Sequence, residues 1–302
     1  MTVTTIDPAT GQPLAAYEET TPAGFGALLD RAADTARAWR DTPPEQRAAA
    51  LRRLAGVLRE QAGEPALLAT REMGKRLAES RAEIGKCAWA CDWYAEHAPA
   101  MLRPEPADTG ALRIRVICTP LGVLLAIMPW NFPYWQVIRA LAPALAAGNV
   151  VVLKHAPSTT GCALALADAA RAAGLPESAL SVLVVSAERT AEVMPGVIAD
   201  DRIASVTLTG STRGGRAVAA AAGAALKKTV LELGGSDAFV VLAGADLEAA
   251  AAWAARSRFQ DTGQSCIAAK RIIVEEPAAD AFTGRLLFTS GNSGSVTPPR
   301  RE

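Results

Sequence analysis

The chain carries no surplus of charge of either sign: 31 Lys and Arg stand against 31 Asp and Glu in 302 residues. That balance offers no electrostatic footprint for nucleic acid or an anionic membrane, and it points to a small-molecule partner. The first twenty residues, MTVTTIDPATGQPLAAYEET, contain neither a basic start nor an apolar run, so no secretory signal is expected. Long apolar runs are absent as well. The longest, Val116 to Trp130, is interrupted by Pro120 and Gly122 and is too short to span a bilayer, so the expectation is a soluble, cytoplasmic protein. Cysteines are few and odd in number (Cys87, Cys91, Cys118, Cys162, Cys266), which favours free thiols over a disulfide framework. Cys87, Cys91 and His97 supply three zinc-type ligands but no fourth, so ordinary core thiols are the better reading and no metal is expected.

Half of the residues are apolar, enough for a sizeable core in one large domain or two smaller ones. From Pro22 to Pro99 the pattern is helical, with apolar residues three and four apart, as at Leu51, Leu54, Val57 and Leu58. Pro43, Pro44 and Pro65 punctuate it, and Pro44 suits a helix start. Leu112 to Cys118 alternates apolar and basic residues, the mark of a half-exposed strand. Short strands then follow at Val123–Ile127, Val150–Leu153, Ser181–Val185, Ala204–Leu208 and Thr229–Leu231. Helical stretches lie between them at Tyr134–Ala146, Thr160–Ala173, Arg189–Ile198 and Ser211–Ala222. This alternation predicts an α/β fold: a Rossmann-like parallel sheet with flanking helices, binding ligands where the strands end. A further strand (Ala238–Leu242), helix (Asp246–Arg258) and strand (Arg271–Val274) begin a second α/β unit. Beyond Phe288 the sequence is polar, rich in Gly, Ser and Pro and without period, so 289–302 is expected to be a disordered tail.

Several residues carry chemistry, each beside a blander reading. Cys266 follows a Gly-Gln-Ser loop, where a thiol is both held and reachable; a buried cysteine is otherwise inert packing. Glu232 ends an apolar strand ahead of two glycines that admit a ligand, and serves either as a base or as a partner of Lys227 or Lys228. Asn131, in Met128-Pro-Trp-Asn-Phe-Pro, can donate its amide to an oxyanion or simply cap a turn. The segment LTGSTRGG from Leu208 follows a strand and opens a helix whose N–H groups suit a phosphate; it is not G-x-G-x-x-G, and it also reads as an ordinary capped helix entry. Lys154 ends a strand, placed to reach a cofactor ribose or to lie in solvent.

Taken in order, MPWNFP, VVLKHAPS, LTGSTRGG, LELGG and GQSC resemble the aldehyde dehydrogenase superfamily, and the wording ELGGSDAFVVLAGADL and RFQDTGQSCIAAKR is most similar to its succinate-semialdehyde dehydrogenase branch. The resemblance implies that the Cys266 thiolate adds to an aldehyde. The oxyanion is then held by the Asn131 amide and the Cys266 backbone N–H, hydride passes to a nicotinamide, and Glu232 activates the water that releases the acid. It places Lys154 on the adenosine ribose, Gly210 and Ser211 beside the pyrophosphate, and Trp130, Gly215 and Leu233 along the cofactor. Three residues after Lys154, where NAD-preferring relatives often carry Glu, stands Pro157, so either NAD or NADP is expected. Arg139 falls where semialdehyde-oxidising relatives place a guanidinium for the substrate carboxylate; the alternative is an exposed helix arginine.

The domains implied are a dinucleotide-binding domain over 1–232, with an oligomerisation strand near 110–120, and a partial catalytic domain over 233–288. Intact relatives are expected to be homo-oligomers. The likeness stops after about Phe282, which reads as a C-terminal truncation or frameshift. The strand Arg271–Val274 is then expected to have bare edges, and the isolated chain little or no activity. Two other readings stand beside this one. The first is a non-catalytic chain that binds dinucleotide or pairs with an intact subunit through Leu112 to Cys118; the second is an unrelated Rossmann-like binding protein.

Overall fold

A computed structural model describes residues 1–107 and 114–292 of the chain. The chain divides into two compact units, Met1–Leu233 and the part from Gly234 onward. The sequence reading puts that division after residue 232.

The first unit opens with a hairpin that the sequence reading does not contain, β1 (Thr2–Ile6) paired antiparallel with β2 (Pro13–Glu18). Four helices follow: α1 (Pro22–Arg40), α2 (Pro44–Glu60), α3 (Gly63–Met73) and α4 (Leu77–Met101). Each proline start uses a position that needs no backbone donor, and Thr21 caps α1 by accepting from the Gly24 N–H at 3.1 Å. On α2, Leu51, Leu54, Ala55 and Leu58 are buried at helical spacing, against a face of α4 made of Ile84, Cys87, Ala88, Cys91 and Ala95. Gly74 ends α3 in the left-handed region (φ 83°), and its missing Cβ leaves room for Pro8 Cγ, which would lie 3.0 Å from one.

The strand expected from Leu112 to Cys118 is shorter in the structure. Only Arg115–Val116 (β4) pairs, with Glu105–Pro106 (β3); residues 112 and 113 lie outside the described residues. Ile114 and Val116, which share the apolar face of the alternation, are both exposed, so among the described residues no layer covers it.

The sheet is built from β5 (Val123–Met128), β6 (Val150–His155), β7 (Leu180–Leu183), β8 (Ile203–Gly210) and β9 (Lys228–Leu233). The intervening helices are α5 (Trp135–Ala146), α6 (Thr160–Ala172), α7 (Ala187–Ala199) and α8 (Thr212–Ala224). All neighbouring pairs are parallel, in the order β7-β6-β5-β8-β9. β6 is buried at every position, as its unbroken Val-Val-Val-Leu demands of a strand covered on both faces.

The second unit contains β10 (Ala238–Val241), α9 (Leu247–Phe259), a 3-10 turn at Gln260–Gly263, β11 (Arg271–Val274) and α10 (Ala279–Asn292). Asp246 caps α9, accepting from the Glu248 and Ala249 N–H groups at 3.0 Å each. β11 is not bare on both edges, since β10 pairs with it in parallel register. Its own small core is Val241, Ala251, Ala254 and Phe282. α10 runs past Phe288, where the sequence reading starts a disordered tail; the polar residues there extend a helix anchored by Phe282. The rest of that tail, 293–302, lies outside the described residues. Among the described residues no helix is long and apolar enough to cross a membrane.

Candidate active site

The connections from β5 and β8 leave in opposite directions, the first through α5 to β6 and the second through α8 to β9. Adjacent strands whose crossovers diverge leave a crevice at their carboxyl ends, where open α/β sheets take ligands. Trp130 and Asn131 follow β5, Gly210 and Ser211 close β8 and open α8, Lys154 is the fifth residue of β6, and Glu232 and Leu233 end β9. Register aligns them: Ile127 pairs with Lys154 on one side and Leu208 on the other, and Thr209 with Glu232. Hence these sequence-predicted residues share the carboxyl ends of one sheet's strands, while Arg139 lies on α5 and Gly215 on α8.

Asn131 sits in a turn held from three sides. Its backbone carbonyl accepts from Lys75 Nζ at 3.0 Å. The Tyr134 and Trp135 N–H groups, which open α5, both donate to Glu83 Oε1 at 2.8 and 2.7 Å. His155 bonds the Pro133 carbonyl through Nε2 at 3.0 Å, while its Nδ1 meets Thr159 Oγ1 at 2.8 Å. Burial pulls the His155 pKa down to about 4, so the ring is neutral and Nε2 carries the proton that Pro133 accepts. Lys75 and Glu83 pair at 2.5 Å with side chains 0% and 1% exposed. Sequence reasoning missed both. The one local sign was a helix without a capping side chain of its own, since Tyr134 provides none for α5.

Lys154 is 6% exposed, and its ammonium has no hydrogen-bond or ion-pair partner among the described residues. Burial lowers its pKa from 10.5 to about 8. The solvated strand-end lysine that the sequence left open is therefore ruled out. A buried unpaired cation is costly and asks for acceptors, which the hydroxyls of a ribose supply. The helix ends distribute charge consistently with this. Glu83 occupies the N-terminus of α5, and Glu72 that of α6, accepting from the Gly161 and Cys162 N–H groups at 3.0 Å each. The first turn of α8 has no acidic residue, and its cap is the neutral Ser211 hydroxyl, 3.1 Å from the Gly214 N–H. The capped-entry reading of LTGSTRGG thus holds at the same residues that present N–H groups to an anion. Gly215 lets Leu233 approach α8: a Cβ there would lie 2.6 Å from Leu233 Cδ2. An unsatisfied cation and a positive helix end capped only by a neutral hydroxyl, both at the carboxyl ends of one sheet's strands, fit a dinucleotide.

Glu232 does not pair with Lys227, whose Nζ donates to the Asp200 carbonyl, nor with Lys228. Its Oε2 lies 3.7 Å from Arg139 Nη1, and Arg139 Nη2 donates to Thr209 Oγ1 at 3.3 Å. Arg139 is therefore not simply a solvated helix arginine. It also lines a cavity of about 210 Å³ with Trp89, Trp93, Tyr94 and Trp135.

Cys266 belongs to the second unit, on the turn after Gln260–Gly263, and is half-buried. Asp261 and Thr262 there adopt φ of 56° and 53°, and Gly263 77°, a left-handed run that bends the chain sharply. Lys270 Nζ donates to the Cys266 carbonyl at 3.4 Å and to the Gly235 carbonyl at 2.7 Å. Of the five thiols, Cys87, Cys91 and Cys162 are buried, and burial pushes all three up, Cys91 to about 12. Such thiols are inert, which leaves Cys118 and Cys266 accessible. Among the described residues no cluster of His, Cys, Asp and Glu could hold a metal.

The sequence model of the aldehyde dehydrogenase family matches residues 1–297. A succinate semialdehyde dehydrogenase (NAD(P)+) of Escherichia coli is 48% identical over 282 residues, covering 93% of this chain and 60% of that protein. A succinate-semialdehyde dehydrogenase (NADP+) of Mycobacterium tuberculosis is 44% identical over 290 residues, covering 95% and 63%. Among solved structures, succinic semialdehyde dehydrogenase from Streptococcus pyogenes in complex with NADP+ superposes with a TM-score of 0.90 at 36% identity, over 95% of this chain and 62% of that one. The chain spans about 60% of the length of the curated relatives it matches.

Proposed function

The chain belongs to the aldehyde dehydrogenase family, and on that premise we propose that it oxidises an aldehyde, of the semialdehyde class typified by succinic semialdehyde, to the carboxylic acid with NAD or NADP. Residues 1–232 serve as the dinucleotide-binding part and 233–288 as part of the catalytic one. Lys154 donates to the adenosine ribose, the α8 N-terminus at Gly210 and Ser211 receives the pyrophosphate, and Trp130, Gly215 and Leu233 bound the cofactor. The nicotinamide, when bound, supplies the hydride acceptor.

The Cys266 thiolate forms a bond to the aldehyde carbon, and the carbonyl electrons move to oxygen, which the Asn131 amide and the Cys266 N–H stabilise. Re-formation of the carbonyl expels hydride with its electron pair and leaves a thioester on Cys266. Glu232 takes a proton from water as that water attacks, and the thiolate departs with the acid released. Sulfur suits both ends of the sequence, as nucleophile and as leaving group. Arg139 receives the carboxylate of the semialdehyde; for that it exchanges Glu232 for the substrate.

The observation that carries this reading is Lys154, a buried ammonium with no partner at the carboxyl ends of the strands. Three measurements on the purified chain test it: intrinsic Trp fluorescence against added NAD+ and NADP+, labelling of Cys266 by a thiol-reactive aldehyde analogue, and reduced nicotinamide appearing with succinic semialdehyde. Saturable quenching that Lys154→Met abolishes is expected, together with labelling at Cys266. Absence of quenching overturns the dinucleotide assignment, and binding without labelling overturns the catalytic one.

A further inference from the structure

The turn that carries Asn131 is fixed by side chains that play no part in the chemistry described above. Lys75 lies between α3 and α4, turned inward by the left-handed Gly74, and Glu83 lies on the second turn of α4. Their buried pair joins two structural tasks. One carboxylate oxygen of Glu83 takes both N–H groups that open α5, a cap that Tyr134 cannot provide. The other oxygen takes Lys75 Nζ, which also donates to the Asn131 carbonyl and lies 4.5 Å from the centre of the Phe132 ring. The contacts fall on Asn131, Phe132, Tyr134 and Trp135 in succession, so they fix the backbone from which the Asn131 carboxamide projects.

We propose that Lys75 and Glu83 are positioning residues for Asn131: together they set the direction of its carboxamide and hence the shape of the oxyanion hole. The inference rests on the proposed role of Asn131. A donor displaced by about 1 Å from a developing oxyanion loses about a hundredfold in rate, and the loss falls on kcat, because the oxyanion exists only after the aldehyde has bound.

The test uses the full chain and four variants: Lys75→Met, Glu83→Gln, the double variant Lys75→Met/Glu83→Gln, and the exposed control Arg71→Ala. The double variant removes both charges at once, so no unpaired ion is left in the interior to prevent folding. The first readout needs no turnover. The side-chain amide resonances of Asn131, assigned by their disappearance in Asn131→Asp, are expected to shift and broaden in the double variant and in Lys75→Met, while Glu83→Gln, which keeps an acceptor for the α5 N–H groups, recovers part of the native signal. The second readout is kinetic and relative to the parent chain, however slow its turnover: NADP+ affinity unchanged and kcat for succinic semialdehyde lowered about a hundredfold. Native Asn131 amide resonances in a folded double variant overturn the inference. If instead Asn131→Ala leaves kcat unchanged while the resonances of the double variant move, the oxyanion role of Asn131 fails and the positioning of its turn stands.

Discussion

Lys154 offers a perturbation in which stability and binding move in opposite directions. Its ammonium takes a proton near 10.5 in the unfolded chain and near 8 in the folded one, because burial alone disfavours the charge. That displacement corresponds to roughly 3 kcal/mol at about 1.4 kcal/mol per tenfold change in proton affinity. At pH 7 both states are protonated, and the folded state carries that full cost. Between about pH 8 and 10.5 the unfolded chain holds one proton more than the folded chain, so stability rises with pH across that window. Lys154→Met, close in length and without charge, is therefore expected to stabilise the chain at pH 7 by up to roughly 3 kcal/mol, with the advantage shrinking through pH 9 and vanishing above 10.5. Urea unfolding of both proteins at a series of pH values from 7 upward measures the difference directly, since His155, the neighbour that feels the Lys154 charge, stays neutral across that range and the remaining groups cancel. The same variant is expected to lose dinucleotide binding, an instance of a site residue held at a cost to the fold. A Met variant less stable than the parent at pH 7 would mean that the ammonium has a partner, and an advantage that ignores pH would mean that folding does not displace its titration; either result refutes the reasoning.

Two further outcomes follow from residues near the same strand ends. His155 titrates near 6.5 when unfolded and about 4 when folded, so as pH falls between those values the unfolded chain gains a proton first and roughly 3 kcal/mol of stability is lost; His155→Gln is expected to flatten that slope in denaturation curves at pH 4.5 and 7. The Arg139–Glu232 pair, with side chains 37% and 52% exposed, contributes at most about 1 kcal/mol, so Arg139→Ala is expected to leave the melting temperature nearly unmoved. In initial-rate kinetics that variant raises KM for succinic semialdehyde by about tenfold or more and leaves an uncharged aldehyde of similar length unaffected; equal changes for both would remove the carboxylate role.

The order of strands and helices from Val123 onward was legible because fully buried parallel strands read as short apolar runs, such as Val150 to Leu153, and the helices between them keep a 3.6 period. The N-terminal hairpin was not, since Thr2 to Ile6 is a weak strand signal that acquires its meaning only from pairing with Pro13 to Glu18. At the site, residue type and position on a strand end singled out Lys154 and Glu232, and the family resemblance singled out Arg139, but their partners could not be read. Whether Lys154 meets solvent or interior depends on what the other elements stack around β6, and Glu232 finds Arg139 rather than its neighbours Lys227 and Lys228 because β8 and α5 bring Thr209 and Arg139 to it. Lys75 and Glu83 were invisible for the same reason. On a local reading they are two charges near a helix start, and only the fold turns them inward.

A helix whose cap is borrowed from 51 residues upstream has a consequence for how the chain acquires its shape. The first turn of α5 cannot close until α4 has docked, since the carboxylate that satisfies its leading amides arrives only then. Refolding is therefore expected to consolidate the helical pair α2 and α4 early and the segment from Trp130 to Trp135 last, so that mutational probes of the rate-limiting step give values near zero at Tyr134 and near one at Leu54. The piece of backbone on which the proposed reaction depends most would then be the final part of the first unit to become ordered.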